Sequence, residues 1–350
     1  MDAGGSASGF SAHPGEAPSD VIVHVSLNDT TATLQQETLG VVGVNLIYGA
    51  HHMHAEPESL IGSLMDELSR DRLEVDMIKL SGPAFDGVDN RLMSLQLVEQ
   101  NLTDAAMFTA AGEVVQPSEV FYKKPILVER GSFRPVTKLT LDLLEGALQQ
   151  FLEEPAVKGQ EPVVLMEMTL RNLSDGSSVD HADFLARADI LGLLGHDVLI
   201  SRFEQFYHLA EYLSSYTDRQ IGIAVGLPSI KEIAEENYYK GLSGGMLEST
   251  GRLFRRSVKM YAYPFLDPAT GRVVTIETMQ VVAVWRHLRN FLLESGHLVP
   301  IKRYDERLLT IFTKDVLARI QSGDATWEEM VPPAVASTIK SKRLFGLRTP

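Results

Sequence analysis

Short apolar, β-branched runs alternate along this chain with segments whose apolar residues recur at helical spacing. The runs are VIVHVSL (21–27), LEVDMIKL (73–80), DAAMFT (104–109), PILVER (125–130), PVVLMEMTL (162–170), DVLIS (197–201), QIGIAVGL (220–227) and VKMYAYP (258–264). Several are almost continuously apolar, as parallel strands covered on both faces are. Between them, Leu144, Ala147, Leu148 and Phe151 make one stripe at i, i+3, i+4, i+7. Phe184, Ala188, Leu191 and Leu194 make another behind Asp180, a predicted N-cap, and Leu209, Tyr212 and Leu213 continue the series. The alternation predicts an α/β protein with a doubly wound, mainly parallel, Rossmann-like sheet. Eight strands also permit a (β/α)8 barrel. A long first crossover and the short Gly/Pro-bearing loop AAGEVVQPSE favour the open sheet.

The pattern changes after Pro264. LDPATGRVVTIET reads as a turn, and helical patterns over roughly 280–295, 306–321 and 332–342 follow. The predicted organisation is a disordered tail over 1–20, an N-terminal α/β segment over 21–122, a Rossmann-like nucleotide-binding segment over 123–265 and a helical C-terminal cap over 266–350. The tail is rich in Gly, Ala, Ser and Pro and buries too little apolar area to offset its ordering entropy. Its Asp2 and its lack of an apolar run argue against a signal peptide. The first strand follows the tail directly, which leaves open whether the chain is an N-terminally shortened form.

Charge and composition narrow the class. With 32 basic and 46 acidic residues the net charge is -14, which opposes general nucleic-acid binding. No stretch approaches the roughly 20 apolar residues of a membrane span. The absence of cysteine excludes thiol catalysis and thiolate metal sites, and fits a cytoplasmic protein. There is no G-x-S-x-G elbow, no G-x-x-x-x-G-K-[ST] loop and no G-x-G-x-x-G fingerprint. His51, His52 and His54 sit close together, but adjacent helical positions point apart, and no metal site is predicted there.

In open parallel sheets, sites form beyond the carboxyl ends of the strands. Glu129, Arg130, Glu167, Thr169, Ser201, Arg202, Pro228 and Tyr263 meet that rule. The segment PILVERGSFRPVTKLTLDLLEGAL (125–148) reads strand, Gly turn, helix. Gly131 would supply unusual backbone geometry, and Ser132 would face the positive helix N-terminus, where a phosphate could sit. Equally, this is a plain strand-to-helix loop with Thr137 as N-cap. Glu167, a carboxylate in an apolar run, reads as a magnesium ligand, a general base or the partner of an arginine. Arg252, Arg255, Arg256 and Lys259 form a basic run beside Gly244 and Gly245, a potential anion nest or a solvated helix face.

The run Gly131-Ser132-Phe133-Arg134-Pro135-Val136-Thr137 resembles the opening motif of the nucleotidylyltransferase superfamily. The phosphopantetheine adenylyltransferase branch opens with Gly-Ser/Thr-Phe-Asp-Pro-Val/Ile-Thr and continues to a Gly-His pair. This chain has Arg134 for the Asp, and Leu139 and Thr140 where the Gly-His pair stands. Loss of such a charge-stabilising His typically costs about 10²–10³ in rate. A wider resemblance, carried by DNRLMSLQLVEQ, YKKPILVERGSFRPVT and SGDATWEEMVPP, is to an uncharacterised bacterial family. Its members commonly bear the label nicotinate-nucleotide adenylyltransferase, and sometimes TonB-dependent receptor. The receptor label conflicts with the α/β alternation. The resemblance implies adenylyl transfer from ATP, with Mg²⁺, to a nicotinate-mononucleotide-like acceptor. It implies Ser132 at the phosphate-bearing substrate and Thr137 facing the triphosphate. Beside them, Gly131 and Phe133 are candidates for holding the nucleotide, Thr140 and Glu167 are catalytic candidates, and Arg252 and Arg255 are candidates for balancing charge on the leaving pyrophosphate. The other readings are a non-catalytic nucleotide-binding protein, and a barrel lyase or isomerase using Glu129 and Glu167.

Overall fold

The computed structural model describes residues 3–10, 17–174, 178–255 and 257–348. The chain forms two compact units: Met1–Glu119 with Asp197–Arg202, and Val120–His196 with Phe203–Pro350.

The first unit is built on an antiparallel sheet of β1 (Ala3–Phe10), β2 (Ser19–Leu27) and β3 (Leu73–Ser81), in that order. Helices α1 (Ala32–His52), α2 (Pro57–Ser63) and α3 (Asn90–Glu99) accompany it. Thr31 and Asp89 cap α1 and α3 through their side chains. Alternation sets the layering: Val21, Val23, Val25 and Leu27 are buried and share one core with Val42, Leu46, Leu60 and Ile61. The opposite register of β2 and β3 holds a polar group. His24 Nδ1 pairs with Asp76, and Ser26 Oγ donates to the other oxygen of Asp76 at 2.8 Å. That pairing, working against burial, raises the His24 pKa. A second set joins β4 (Ala105–Phe108) to β5 (Val114–Val115) and to Asp197–Ser201, both antiparallel.

Two features of this unit depart from the pattern of its sequence. Ala3–Phe10 falls in the segment expected to be disordered, yet it pairs with β2 along its whole length. Backbone ladders do not need large side chains, so composition understates such a strand, and Phe10 anchors it against Phe85. Residues 11–16 lie outside the described residues. The expected parallel pairing also fails in this unit, where every described pair is antiparallel.

The second unit follows α4 (Pro117–Phe121). Along the chain come β6 (Ile126–Arg130), α5 (Lys138–Glu153), β7 (Val163–Thr169), α6 (Leu170–Leu173) and α7 (His181–Leu193). With Asp197–Ser201 counted as β8, α8 (Phe206–Tyr216), β9 (Ile221–Gly226), α9 (Leu227–Ile233), α10 (Glu236–Tyr239) and α11 (Gly245–Leu253) follow. The last part holds β10 (Val258–Tyr263), the hairpin β11 (Phe265–Asp267) and β12 (Arg272–Val274), α12 (Ala283–Glu294), β13 (Leu298–Pro300), α13 (Thr313–Ser322) and α14 (Pro333–Lys342).

Five strands of this unit are parallel neighbours in the order β13-β10-β9-β6-β7. Chain order is therefore second, first, third, fourth, fifth across the sheet. That is a doubly wound order whose switch point lies between β6 and β9. Ile126, Leu127 and Val128 are fully buried, as a central strand covered on both faces must be. Among the described strands β13 pairs with β10 alone, so the sheet ends there and the barrel alternative is excluded. The C-terminal segment is not purely helical: Leu298–Pro300 adds a strand that is too short to signal itself in the sequence.

Candidate functional site

A polar cleft of about 630 Å³ opens at the carboxyl ends of the parallel strands, at the switch point. Arg130 ends β6, Thr169 ends β7, and Ser229 stands in the first turn of α9, directly after β9. Arg171 and Asn172 reach the cleft from α6, and Lys314 from α13. Arg171 and Lys314 are exposed, and neither forms an ion pair among the described residues. Glu204, Glu232 and Glu235 line the same cleft as Arg130, Arg171 and Lys314, and Arg130 is neutralised by Glu167 behind it.

Register explains the best-ordered charge in the cleft. Arg130 and Glu167 are direct partners across β6 and β7, and their side chains leave the same face. Arg130 Nε and Nη2 donate to the two oxygens of Glu167 at 2.8 and 2.9 Å, a bidentate pair. Its guanidinium lies 4.3 Å from the Phe206 ring centre, and Nη1 donates to the Glu204 carbonyl at 3.2 Å. Glu167 is wholly buried and holds this arginine. Of the three roles open to it in the sequence, the arginine partnership is shown by these two hydrogen bonds. Tyr238 accepts the Phe206 N–H at 2.6 Å, and burial raises its pKa, which keeps the phenol neutral.

The loop after β6 is locked rather than free. Gly131 N–H donates to the Glu167 carbonyl at 3.1 Å. Glycine is needed there because a Cβ would meet the Phe133 ring at 2.7 Å. The left-handed backbone sits at Phe133 (φ 49°), not at Gly131 where the sequence suggested it. Arg134 pairs with Asp183 at 2.7 Å, and Arg187 Nε donates to Asp183 at 2.6 Å. Arg187 Nη1 also donates to the Ser132 carbonyl at 3.0 Å. Ser132 and Gly131 remain on the cleft wall, while Phe133 turns into the core at 3% exposure. The Arg134–Pro135 peptide is cis.

Thr137 and Thr140 form a reciprocal capping box at the start of α5, and both are buried. Their hydroxyls serve the helix. Neither lines the cleft. Arg252 and Arg255 are also elsewhere. Both donate to Glu211 of α8, at 2.6–2.8 Å and 3.1 Å, and Arg252 lies 4.6 Å from the Tyr207 ring centre. Their charge lowers the Glu211 pKa. The nest proposed at Gly244 is filled by Glu248, whose carboxylate accepts the Gly244 N–H at 2.8 Å. Lys259 pairs with Glu154 at 2.7 Å, and Arg256 lies outside the described residues. Of the eight candidate residues, the structure thus gathers only Gly131 and Ser132 at the cleft, with Glu167 behind Arg130. The strand-end rule pointed to Arg130 and Thr169. Nothing in the sequence marked Arg171, Asn172 or Lys314, because the fold alone brings them together.

Among the described residues no group of three His, Asp or Glu side chains could hold a metal ion, and His51 and His54 instead pack their rings on Phe10. No helix in the described residues is long and apolar enough to cross a membrane.

No family model matches the sequence, and no curated protein matches it. Among solved structures the chain is similar to Plasmodium falciparum nicotinic acid mononucleotide adenylyltransferase, complexed with APC in one structure and with NaAD in another. In both, identity is 10% and the TM-score 0.39, over 64% of this chain and 98% of the other. At that identity and score the overlap assigns no ligand or reaction to the present chain.

Proposed function

We propose that the cleft at the β6/β9 switch point binds a nucleotide or another phosphorylated metabolite. One observation carries this reading: Arg171 and Lys314, cations without ion-pair partners among the described residues, converge with Ser132, Thr169 and Asn172 beyond the strand ends. Cations of this kind, with hydroxyl and amide donors, recognise phosphate oxygens. The Arg130–Glu167 pair supplies a rigid floor.

The finer form of the proposal is adenylyl transfer from ATP to a nicotinate-mononucleotide-like acceptor. It rests on the Gly131–Thr137 resemblance and on Ser132 lining the cleft. Mg²⁺ enters as part of the MgATP substrate, since magnesium commonly uses substrate phosphates with one or two carboxylates. Catalysis would come from positioning and from charge stabilisation by Arg171 and Lys314. A non-catalytic ligand-binding role is the second reading. It is favoured by Thr137, Thr140 and Glu167 all being committed to the scaffold.

Thermal-shift titration with ATP, NAD, nicotinate mononucleotide and phosphopantetheine, each with and without Mg²⁺, tests the proposal. A ligand at about 100 times its Kd stabilises the folded state by about 2.7 kcal/mol. The expected result is a nucleotide-dependent shift lost in Arg171→Ala/Lys314→Ala. Pyrophosphate release would then separate transferase from binding protein. No shift with any of the four ligands at millimolar concentration would defeat both readings.

A further inference from the structure

The segment between β12 and α12 forms a second polar cavity, of about 280 Å³, that shares no residue with the cleft. Its lining includes Glu277, Thr278, Met279, Gln280, Arg286 and Arg289. The two arginines are three positions apart on α12, and so emerge on one side of the helix. They differ in setting. Arg286 is exposed and has no ion-pair partner among the described residues. Arg289 is buried, at 8% exposure, and is also without a carboxylate among the described residues.

The hydrogen bonds of Arg289 all go to neutral groups. Nη1 donates to the Met279 carbonyl at 2.8 Å, and Nε and Nη2 donate to Asn290 Oδ1 at 3.3 and 3.1 Å. These use three of the five N–H donors of a guanidinium. A buried guanidinium without a counter-ion is unfavourable. The Met279 carbonyl fixes the head group on the cavity wall instead of letting it reach for solvent. Glu277, the acid on the wall, is exposed and is not within ion-pair distance of either arginine.

We infer that this cavity is an oxyanion site, in which a phosphate group supplies the missing counter-charge between Arg286 and Arg289. The volume suits a free phosphate or one phosphate group of a larger molecule. A larger ligand has somewhere to extend. Thr278, Met279 and Gln280 also line a neighbouring, mainly apolar cavity of about 440 Å³, with Phe265 and Val274. The ligand class is therefore a small phosphomonoester with an apolar body, and inorganic phosphate is its minimal form.

Calorimetric titration of the full chain with inorganic phosphate, and separately with phenyl phosphate, tests this. Phosphate is expected to bind saturably, and phenyl phosphate at least several-fold more tightly if the apolar cavity is used. Arg286→Gln, an exposed substitution that leaves the fold intact, is expected to weaken both by about 10-fold. Arg289→Met should abolish binding while the chain keeps a single cooperative melt. The cleft variant Arg171→Ala/Lys314→Ala should retain this binding. Phosphate affinity that is unchanged in Arg286→Gln and Arg289→Met, or lost only in the cleft variant, overturns the inference and leaves the cleft reading standing. Equal affinities for phosphate and phenyl phosphate would confine the site to the free anion and overturn the extended ligand.

Discussion

At the residue scale, the chemistry suggested by the Gly131–Thr137 run is largely absorbed by structure. Thr137 is the clearest case, since its hydroxyl accepts the Thr140 N–H while Thr140 Oγ1 receives the Thr137 N–H. Thr137→Ala is expected to cost about 1 kcal/mol of stability, the usual worth of an N-cap. Ligand-induced thermal shifts should survive it. A variant of normal stability that no longer responds to ligand would show instead that the hydroxyl touches the ligand. Glu167→Gln should be far more damaging, by roughly 3–5 kcal/mol, because it strands the Arg130 charge in a buried setting. Denaturant titration of the two variants gives the comparison.

At the scale of elements, the strands were legible wherever an apolar run was long enough to declare itself. β6, β7, β9 and β10 are of this kind, and their parallel pairing follows from near-continuous burial. What the pattern could not carry was pairing partner and direction. β2 and β3 read like the others, yet both pair antiparallel, β2 with β1 on one side and, after a return through α1 and α2, with β3 on the other. β13 has three residues and no pattern at all. The site divides in the same way. Arg130 and Thr169 follow from a rule about strand ends, whereas Arg171, Lys314 and the Arg286–Arg289 pair depend on helix placements that only the fold determines. Gly146 shows the same limit. In the interior of α5 a glycine ordinarily costs about 1 kcal/mol against alanine. Here a Cβ would lie 2.6 Å from the Arg303 carbonyl oxygen and 2.9 Å from Ile301. Gly146→Ala is therefore expected to destabilise, by about 1–3 kcal/mol, instead of stabilising. An increase in Tm would mean that the strand-to-loop segment after β13 does not pass this close to α5.

At the scale of the whole molecule, pH couples to stability through opposed groups. His24 in the first unit has a raised pKa from its Asp76 partner. Its contribution is complete below the unfolded value of about 6.5 and is lost as pH rises through the folded value. Glu129 in the second unit is buried, and no hydrogen-bond partner meets its Oε2 among the described residues. Burial pushes its carboxyl well above the usual range, so the folded state holds this proton to higher pH than the unfolded chain does. Stability is then lost as pH rises above the unfolded value of about 4.3 and until the folded value is passed, by up to about 1.4 kcal/mol per pH unit. On the acid side, Glu211 is held ionised by Arg252, and its contribution falls away as pH drops through its lowered folded value. Thermal melts across pH 4 to 9 should therefore show a progressive advantage of Glu129→Gln over the wild type as pH increases, with little difference near pH 4. A constant difference across that range would remove Glu129 from the account.

The path of the backbone between the two units has a consequence for synthesis. The chain leaves the first unit after Glu119, builds β6 through α7, returns to lay Asp197–Ser201 against β4, and leaves again. A ribosome therefore releases the first unit's helices and three-stranded sheet long before it releases the strand that completes β4. Until then Ala105–Phe108, wholly buried in the finished protein, presents an open apolar edge to its surroundings. The nascent chain at that stage is the form that most needs a chaperone, and a fragment stopped at Glu119 would carry the same exposed edge permanently.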